Sequence, residues 1–180
     1  MMKRVGERGV RKERADKKKQ LRPWLPGTLR AEINSLTKSL DSPSRAAIME
    51  KLLFMTVTNR GFIDYIKPYM ARTVSLPVSS DGAYHFTVFA NPNRKNTADD
   101  LYSSLKAGVS NRASFFVTKE VAETYLHPLT SGLDISYDGL TTLIIDYGMR
   151  ELVDKLAPGY TYKYIYTSKK NANKQAKRLS

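Results

Sequence analysis

A chain of 180 residues with 41% hydrophobic content is long enough for a compact domain with a real core, and the lack of cysteine excludes a disulfide frame and thiolate metal sites. Its net charge of +13 is lodged at the ends: residues 1–20 carry nine basic and three acidic side chains, residues 167–180 carry five basic and no acidic ones, and 21–166 are left with only +2. No apolar run reaches membrane-spanning length and no hydrophobic segment follows the N-terminal charge, so a cytoplasmic protein without a membrane helix or secretion signal is expected.

The two charged ends read as solvated basic arms that meet phosphate, with Lys17, Lys18, Lys19, Lys169 and Lys170 as candidate contacts; plain solubility is the alternative. After the first arm, Leu29, Ile33, Leu36 and Leu40 recur at helical spacing and predict an amphipathic helix entered through Pro26-Gly27. Asp41-Ser42-Pro43-Ser44 reads as a turn and helix start, with Ser42 as N-cap and Pro43 at the first helical position. The next helix carries Ala47, Ile48, Leu52 and Met55 inward.

Residues 58–111 form a connector. Phe62, Ile63, Ile66, Tyr69 and Met70 continue helically after the Asn59-Arg60-Gly61 break. RTVSLPV and AYHFTVFA then flank Ser79-Ser80-Asp81-Gly82 as a hairpin, closed by Asn91-Pro92-Asn93. Thr97 caps a short helix with Ala98, Leu101 and Leu105, and Asp99 and Asp100 sit near its positive end. The connector either only carries the chain onward or adds a dimer surface.

From Ala113 to Thr118 the pattern has period 2, with Ala113, Phe115 and Val117 on one face and Arg112, Ser114 and Phe116 on the other. A helix follows from Lys119 with Val121, Ala122, Tyr125, Leu126 and Leu129, and Gly132 is expected to end it with help from Pro128. Asp134 and Ser136 are N-cap residue types ahead of a helix in which Leu140, Leu143, Ile144, Tyr147, Glu151 and Leu152 follow 3.6 spacing. Tyr160, Tyr162, Tyr164 and Tyr166 alternate along a last strand, which suits either an edge packed on the domain or a stacking platform for single strands.

LTKSLD at 36–41 and LTSGLD at 129–134 agree at Leu, Thr, Leu and Asp, and each is followed by Ser and a helix. This echo points to a degenerate duplication, with units at 21–57 and 112–156. It also places a first strand at Leu21–Leu25, with Arg22 and Trp24 facing out. Pro23 is tolerable there because a two-stranded ribbon is all edge.

Strand, short helix, tight turn and longer helix resemble the ribbon-helix-helix unit of the Arc/MetJ/CopG DNA-binding superfamily. SPSRAAIMEKLL at 42–53 and LHPLTSGLDISYDGLTTLI at 126–144 further resemble its tandem single-chain form, the accessory proteins that bind beside the T-DNA border of tumour-inducing plasmids. The resemblance covers roughly residues 20–156. It implies an α+β fold, a pseudo-dimeric ribbon-helix-helix in one chain, either monomeric or a homodimer of such units. It also implies that the outward strand residues Arg112, Ser114, Phe116, Arg22 and Trp24 read base edges in the major groove. The starts of the second helices at Ser42, Ser44 and Ser136, with Arg45 and Lys119, would then meet phosphate, although plain N-capping explains each serine as well.

The partner implied is double-stranded DNA, with other DNA-processing proteins, in a DNA-transfer, partition or transcription-regulating role. The alternative is a general RNA or single-stranded DNA binder or packaging protein, driven by the tails and the Tyr-rich strand. Catalysis is not expected. His85 and His127 are far apart, and no Walker loop, zinc spacing or nucleophile elbow occurs. Asp99-Asp100 is better explained by the helix start than by a metal, so no cofactor is expected.

Overall fold

Two short strands near the start of the chain pair with two from beyond its middle. The computed structural model describes residues 18–41, 44–77, 85–106 and 110–159. Strand β1 (Lys19–Leu21) runs antiparallel to a later strand, Phe115–Val117, with Leu21 opposite Phe115. Strand β2 (Trp24–Pro26) runs antiparallel to Ser110–Arg112, with Trp24 opposite Arg112. Pro23 has no N–H to give, which explains the gap between β1 and β2. Its carbonyl still accepts from the Ala113 N–H at 3.1 Å, so one register runs through both pairs and puts Arg22 opposite Ser114. The paired strand therefore begins at Lys19, two residues ahead of the expected Leu21.

The helices follow in order. Pro26 precedes α1 (Gly27–Ser39), whose Leu29, Ile33 and Leu36 are buried. Asp41 adopts a left-handed backbone (φ 48°), and α2 (Arg45–Val57) begins with Ser44 accepting from the Ala47 N–H at 3.1 Å. The cap is thus Ser44 rather than Ser42, which lies with Pro43 outside the described residues. Of the expected inward set, Ile48 and Leu52 are buried with Met49, Leu53 and Thr56, while Ala47 and Met55 are half-buried.

In the connector, Asn59 caps α3 (Arg60–Ile66), and β3 (Val74–Pro77) pairs with β4 (His85–Val88). The turn expected at 79–82 lies outside the described residues. Thr97 caps α4 (Ala98–Lys106): the Asp100 N–H donates to Thr97 Oγ1, and Asp100 Oδ2 accepts from the Thr97 N–H. Helix α4 packs against β2 and a later helix, Tyr137–Tyr147.

Strands β5 (Ser110–Arg112) and β6 (Phe115–Val117) lead into α5 (Lys119–Val121), a π-helical turn (Ala122–Leu126) and α6 (His127–Leu133). Gly132 does not end this helix, which begins at His127. The terminator is Asp134, in a left-handed conformation at φ 54°, like Asp41 after α1. Gly132 serves close packing instead: its carbonyl accepts from the Ala71 and Arg72 N–H groups at 2.7 and 3.0 Å. A Cβ there would lie 2.6 Å from Met70 Cε and 2.7 Å from Val74 Cγ1. Pro128, expected to help end the helix, sits inside it, directly after the π turn that shifts the hydrogen-bond spacing.

Ser136 caps α7 (Tyr137–Tyr147) by accepting from the Gly139 N–H at 3.0 Å. A π-helical turn (Gly148–Leu152) and α8 (Val153–Leu156) continue its line. Leu140, Leu143 and Ile144 are buried as expected, but Glu151 is exposed; the polar residues taken inward are Thr141, Thr142 and Asp146, of which only Asp146 is charged. The Tyr160–Tyr166 strand lies outside the described residues.

Helices α2 and α7 pack on each other at the centre; α2 also packs on β6, and α7 on β2. Three features on these elements share one shift of 92 positions. The capping serines are Ser44 and Ser136, the residues facing each other mid-ribbon are Arg22 and Ser114, and Thr56 of α2 lies against Gly148 at the end of α7. The first helices match at 93 instead, as Asp41 and Asp134 do. A π turn holds one extra residue, so the one at Ala122–Leu126 accounts for the difference.

Candidate nucleic-acid interface

Alternation puts Leu21, Pro23 and Leu25 of the first strand pair, and Ala113, Phe115 and Val117 of the second, against the core. The opposite face is open. It carries Gln20 across from Phe116, Arg22 across from Ser114, and half-buried Trp24 across from Arg112. The five candidate reading residues, Arg22, Trp24, Arg112, Ser114 and Phe116, therefore share one face. Gln20 is a sixth, missed because residues 1–20 were assigned to the basic arm, although continuing the alternation two residues back would have found it.

The long side chains on this face hold one another. Arg22 donates from Nε and Nη2 to Gln20 Oε1, at 3.3 and 2.8 Å. The Arg112 guanidinium lies 4.7 Å from the centroid of the Trp24 ring, and its Nη2 is 3.6 Å from Asp138 Oδ2. Lys106, at the end of α4, also approaches Trp24, with Nζ 5.0 Å from the ring centroid. A guanidinium braced by a ring and a carboxylate keeps its planar fork of donors in a narrowed set of orientations. Lys106 and Asp138 come from α4 and α7, which no local pattern ties to the strands. Phe116 is 48% exposed, an apolar side chain offered to solvent beside polar ones.

Around the ribbon the cations are unevenly placed. Arg45 at the start of α2 donates to Asn34 Oδ1 at 3.5 Å; partial burial and the nearby Arg30 charge lower its pKa. Lys19 Nζ lies 4.7 Å from the Tyr137 ring centroid, and Lys18 is exposed. Lys119 pairs with Glu123 at 3.6 Å across one helical turn. Ser136 stands at the start of α7, but Asp138 in the same first turn brings a carboxylate to the place where a phosphate would sit. Lys17, Lys169, Lys170 and Ser42 lie outside the described residues.

Asp146 and Arg150 make an ion pair at 2.9 Å. Asp146 is 2% exposed, and the Arg150 guanidinium stands 5.6 and 5.8 Å from the Tyr65 and Tyr147 ring centroids. Burial raises the Asp146 pKa, and Arg150 draws it back down.

Among the described residues there is no group of three His, Cys, Asp or Glu side chains able to hold a metal, and no helix long and apolar enough to cross a membrane. Comparison of the chain with protein-family models, curated proteins and solved structures finds no match.

Proposed function

We propose that this chain is a sequence-specific double-stranded DNA-binding protein, a tandem ribbon-helix-helix in one polypeptide that reads the major groove with its two-stranded ribbon. The observation that carries this reading is the open ribbon face. Gln20, Arg22, Trp24, Arg112, Ser114 and Phe116 project from a strand pair whose other face is sealed against the core. Two strands about 4.8 Å apart fit a groove roughly 12 Å wide. Arginine forks onto guanine, glutamine pairs with adenine, serine takes either role, and an exposed phenyl ring meets a thymine methyl. The basic ends of the chain add sequence-independent attraction to phosphate. The biological setting that suits such a protein is DNA transfer, partition or transcription control in the cytoplasm.

The test is a pair of titrations per protein, on a selected duplex and on random duplex at one fixed salt. Arg112→Ala should weaken the selected site by roughly 1–3 kcal/mol and random duplex much less. Arg45→Ala should weaken both to a similar degree, because phosphates carry no sequence. Equal losses on both duplexes for Arg112→Ala would remove the ribbon as the reading element. Single-stranded DNA or RNA bound as tightly as duplex would favour a general nucleic-acid binder.

A further inference from the structure

Positions related by the shift of 92 carry unlike side chains on the ribbon face: Gln20 against Arg112, Arg22 against Ser114, and Trp24 against Phe116. Behind the ribbon the difference continues. Asp138 of α7, which holds Arg112, corresponds to Ala46 of α2, which has no charge to offer. The connector adds a third inequality: α4 packs against β2 and α7, bringing Lys106 to Trp24. Among the described residues, no second helix of this kind stands beside Phe116 and Gln20.

Resting on the reading of the ribbon as a major-groove element, we infer that the recognised site is a duplex without dyad symmetry, bound in one orientation, with α4 always over the same flank. In a dimer of identical subunits, two equal strands ask for two equal half-sites. Here one half is read by Arg112, Ser114 and Phe116, and the other by Gln20, Arg22 and Trp24. The guanidinium of Arg112, stacked on Trp24 and paired with Asp138, selects guanine at an outer step. At the middle of the ribbon Arg22 faces Ser114, so a single arginine meets the central base pair and fixes which strand carries its guanine. Lys106 is placed to add a phosphate contact on the Trp24 side only.

The experiment is selection from random duplexes with the full chain, followed by the same selection with the variant Gln20→Arg/Arg22→Ser/Trp24→Phe. That variant gives both strands the same three outward residues. The parent should select a motif that is not self-complementary and bind either self-complementary version of its halves at least tenfold more weakly, on the order of one misread base pair. The variant should select an inverted repeat of the half read by Arg112. A self-complementary motif from the parent, or an unchanged motif from the variant, would overturn the inference.

A second measurement stands if the triple variant does not fold. The sequence has no cysteine, so Ser103→Cys on the exposed face of α4 can alone carry an iron chelate that cuts nearby DNA. Cuts on one flank of the selected site support a fixed orientation, and equal cuts on both flanks refute it. Failure of the full chain to prefer any duplex over random DNA would instead refute the functional reading, and the inference with it.

Discussion

Replacing Gly148 with Ala tests the packing of α2 against the end of α7, at the centre of the fold. A Cβ at this position would stand 2.6 Å from Thr56 Oγ1, and 3.5 and 3.6 Å from Leu52 Cδ2 and Leu52 O. Thr56 cannot easily yield. It is fully buried, its hydroxyl donates to Leu52 O at 2.7 Å, and a β-branched side chain in a helix has few rotamers to move to. Overpacking of this kind costs about 1–3 kcal/mol, while Ala in place of Gly inside a helix returns about 1 kcal/mol. The net expectation is destabilisation by about 1 kcal/mol, and roughly 3 kcal/mol or more for Gly148→Val, whose extra methyls have no room. Thr56→Ala removes the obstructing oxygen, so Gly148→Ala should be neutral or stabilising in that background. Urea unfolding of the four proteins gives the coupling energy, expected to favour the double variant by about 1–2 kcal/mol. Additivity within about 0.5 kcal/mol, the value for sites that do not touch, would refute the close approach of α2 and the π turn that follows α7.

Arg150→Met should cost roughly 3–5 kcal/mol at neutral pH, because it leaves the Asp146 carboxylate buried without its partner, and Asp146→Asn/Arg150→Met should recover most of the loss. The pH dependence has a definite sign. A carboxyl whose folded pKa is raised gives stability that is complete below the unfolded value of 3.8 and is lost as pH rises through the folded pKa. Without Arg150 that loss should deepen, which thermal melts across the acid range would show; a flat profile for Arg150→Met would contradict it. Deleting 1–17 and 167–180, which stops short of β1, removes 12 of 30 basic residues. It should lower affinity for all duplexes and reduce the salt slope by about 0.9 per lost phosphate contact, whereas an unchanged slope would show that the ends make none.

The ribbon face was legible because it depends only on alternation, which a run such as Arg112 to Val117 displays in its own residues. The inward leucines and isoleucines of α1, α2 and α7 were legible for the same reason, at a period of 3.6. What escaped depends on hydrogen bonds or on distant neighbours. Ser42 and Ser44 are equally good caps by composition, and only the backbone decides that Ser44 Oγ accepts from the Ala47 N–H. Gly132 beside Leu133 looks like a helix end, yet its missing Cβ answers to Met70 and Val74, more than fifty residues earlier. The π turn at Ala122–Leu126 leaves no mark on hydropathy, and shows only as a one-residue change in the spacing of the echo. Asp138 and Lys106 reach Arg112 and Trp24 through the packing of α7 and α4 on the strands, and no local pattern announces such a meeting.

Two of the positions related by the shift of 92 face each other, and both pairs are unlike. Arg22 stands opposite Ser114 on the ribbon, and Thr56 meets Gly148 between the helices. Neither arrangement is available to two identical subunits, where a residue on the dyad must face its own copy. Two arginines directly opposite would repel across a ribbon. Two threonines would crowd a gap in which even one methyl comes within 2.6 Å of a hydroxyl, and two glycines would leave a hole where Thr56 now fills space. Joining both strands in one chain lets each axial pair take one large and one small member. The core then supports an asymmetric ribbon, and the unequal outward residues above it are not decoration on an otherwise symmetric frame: the inequality begins where α2 meets the end of α7.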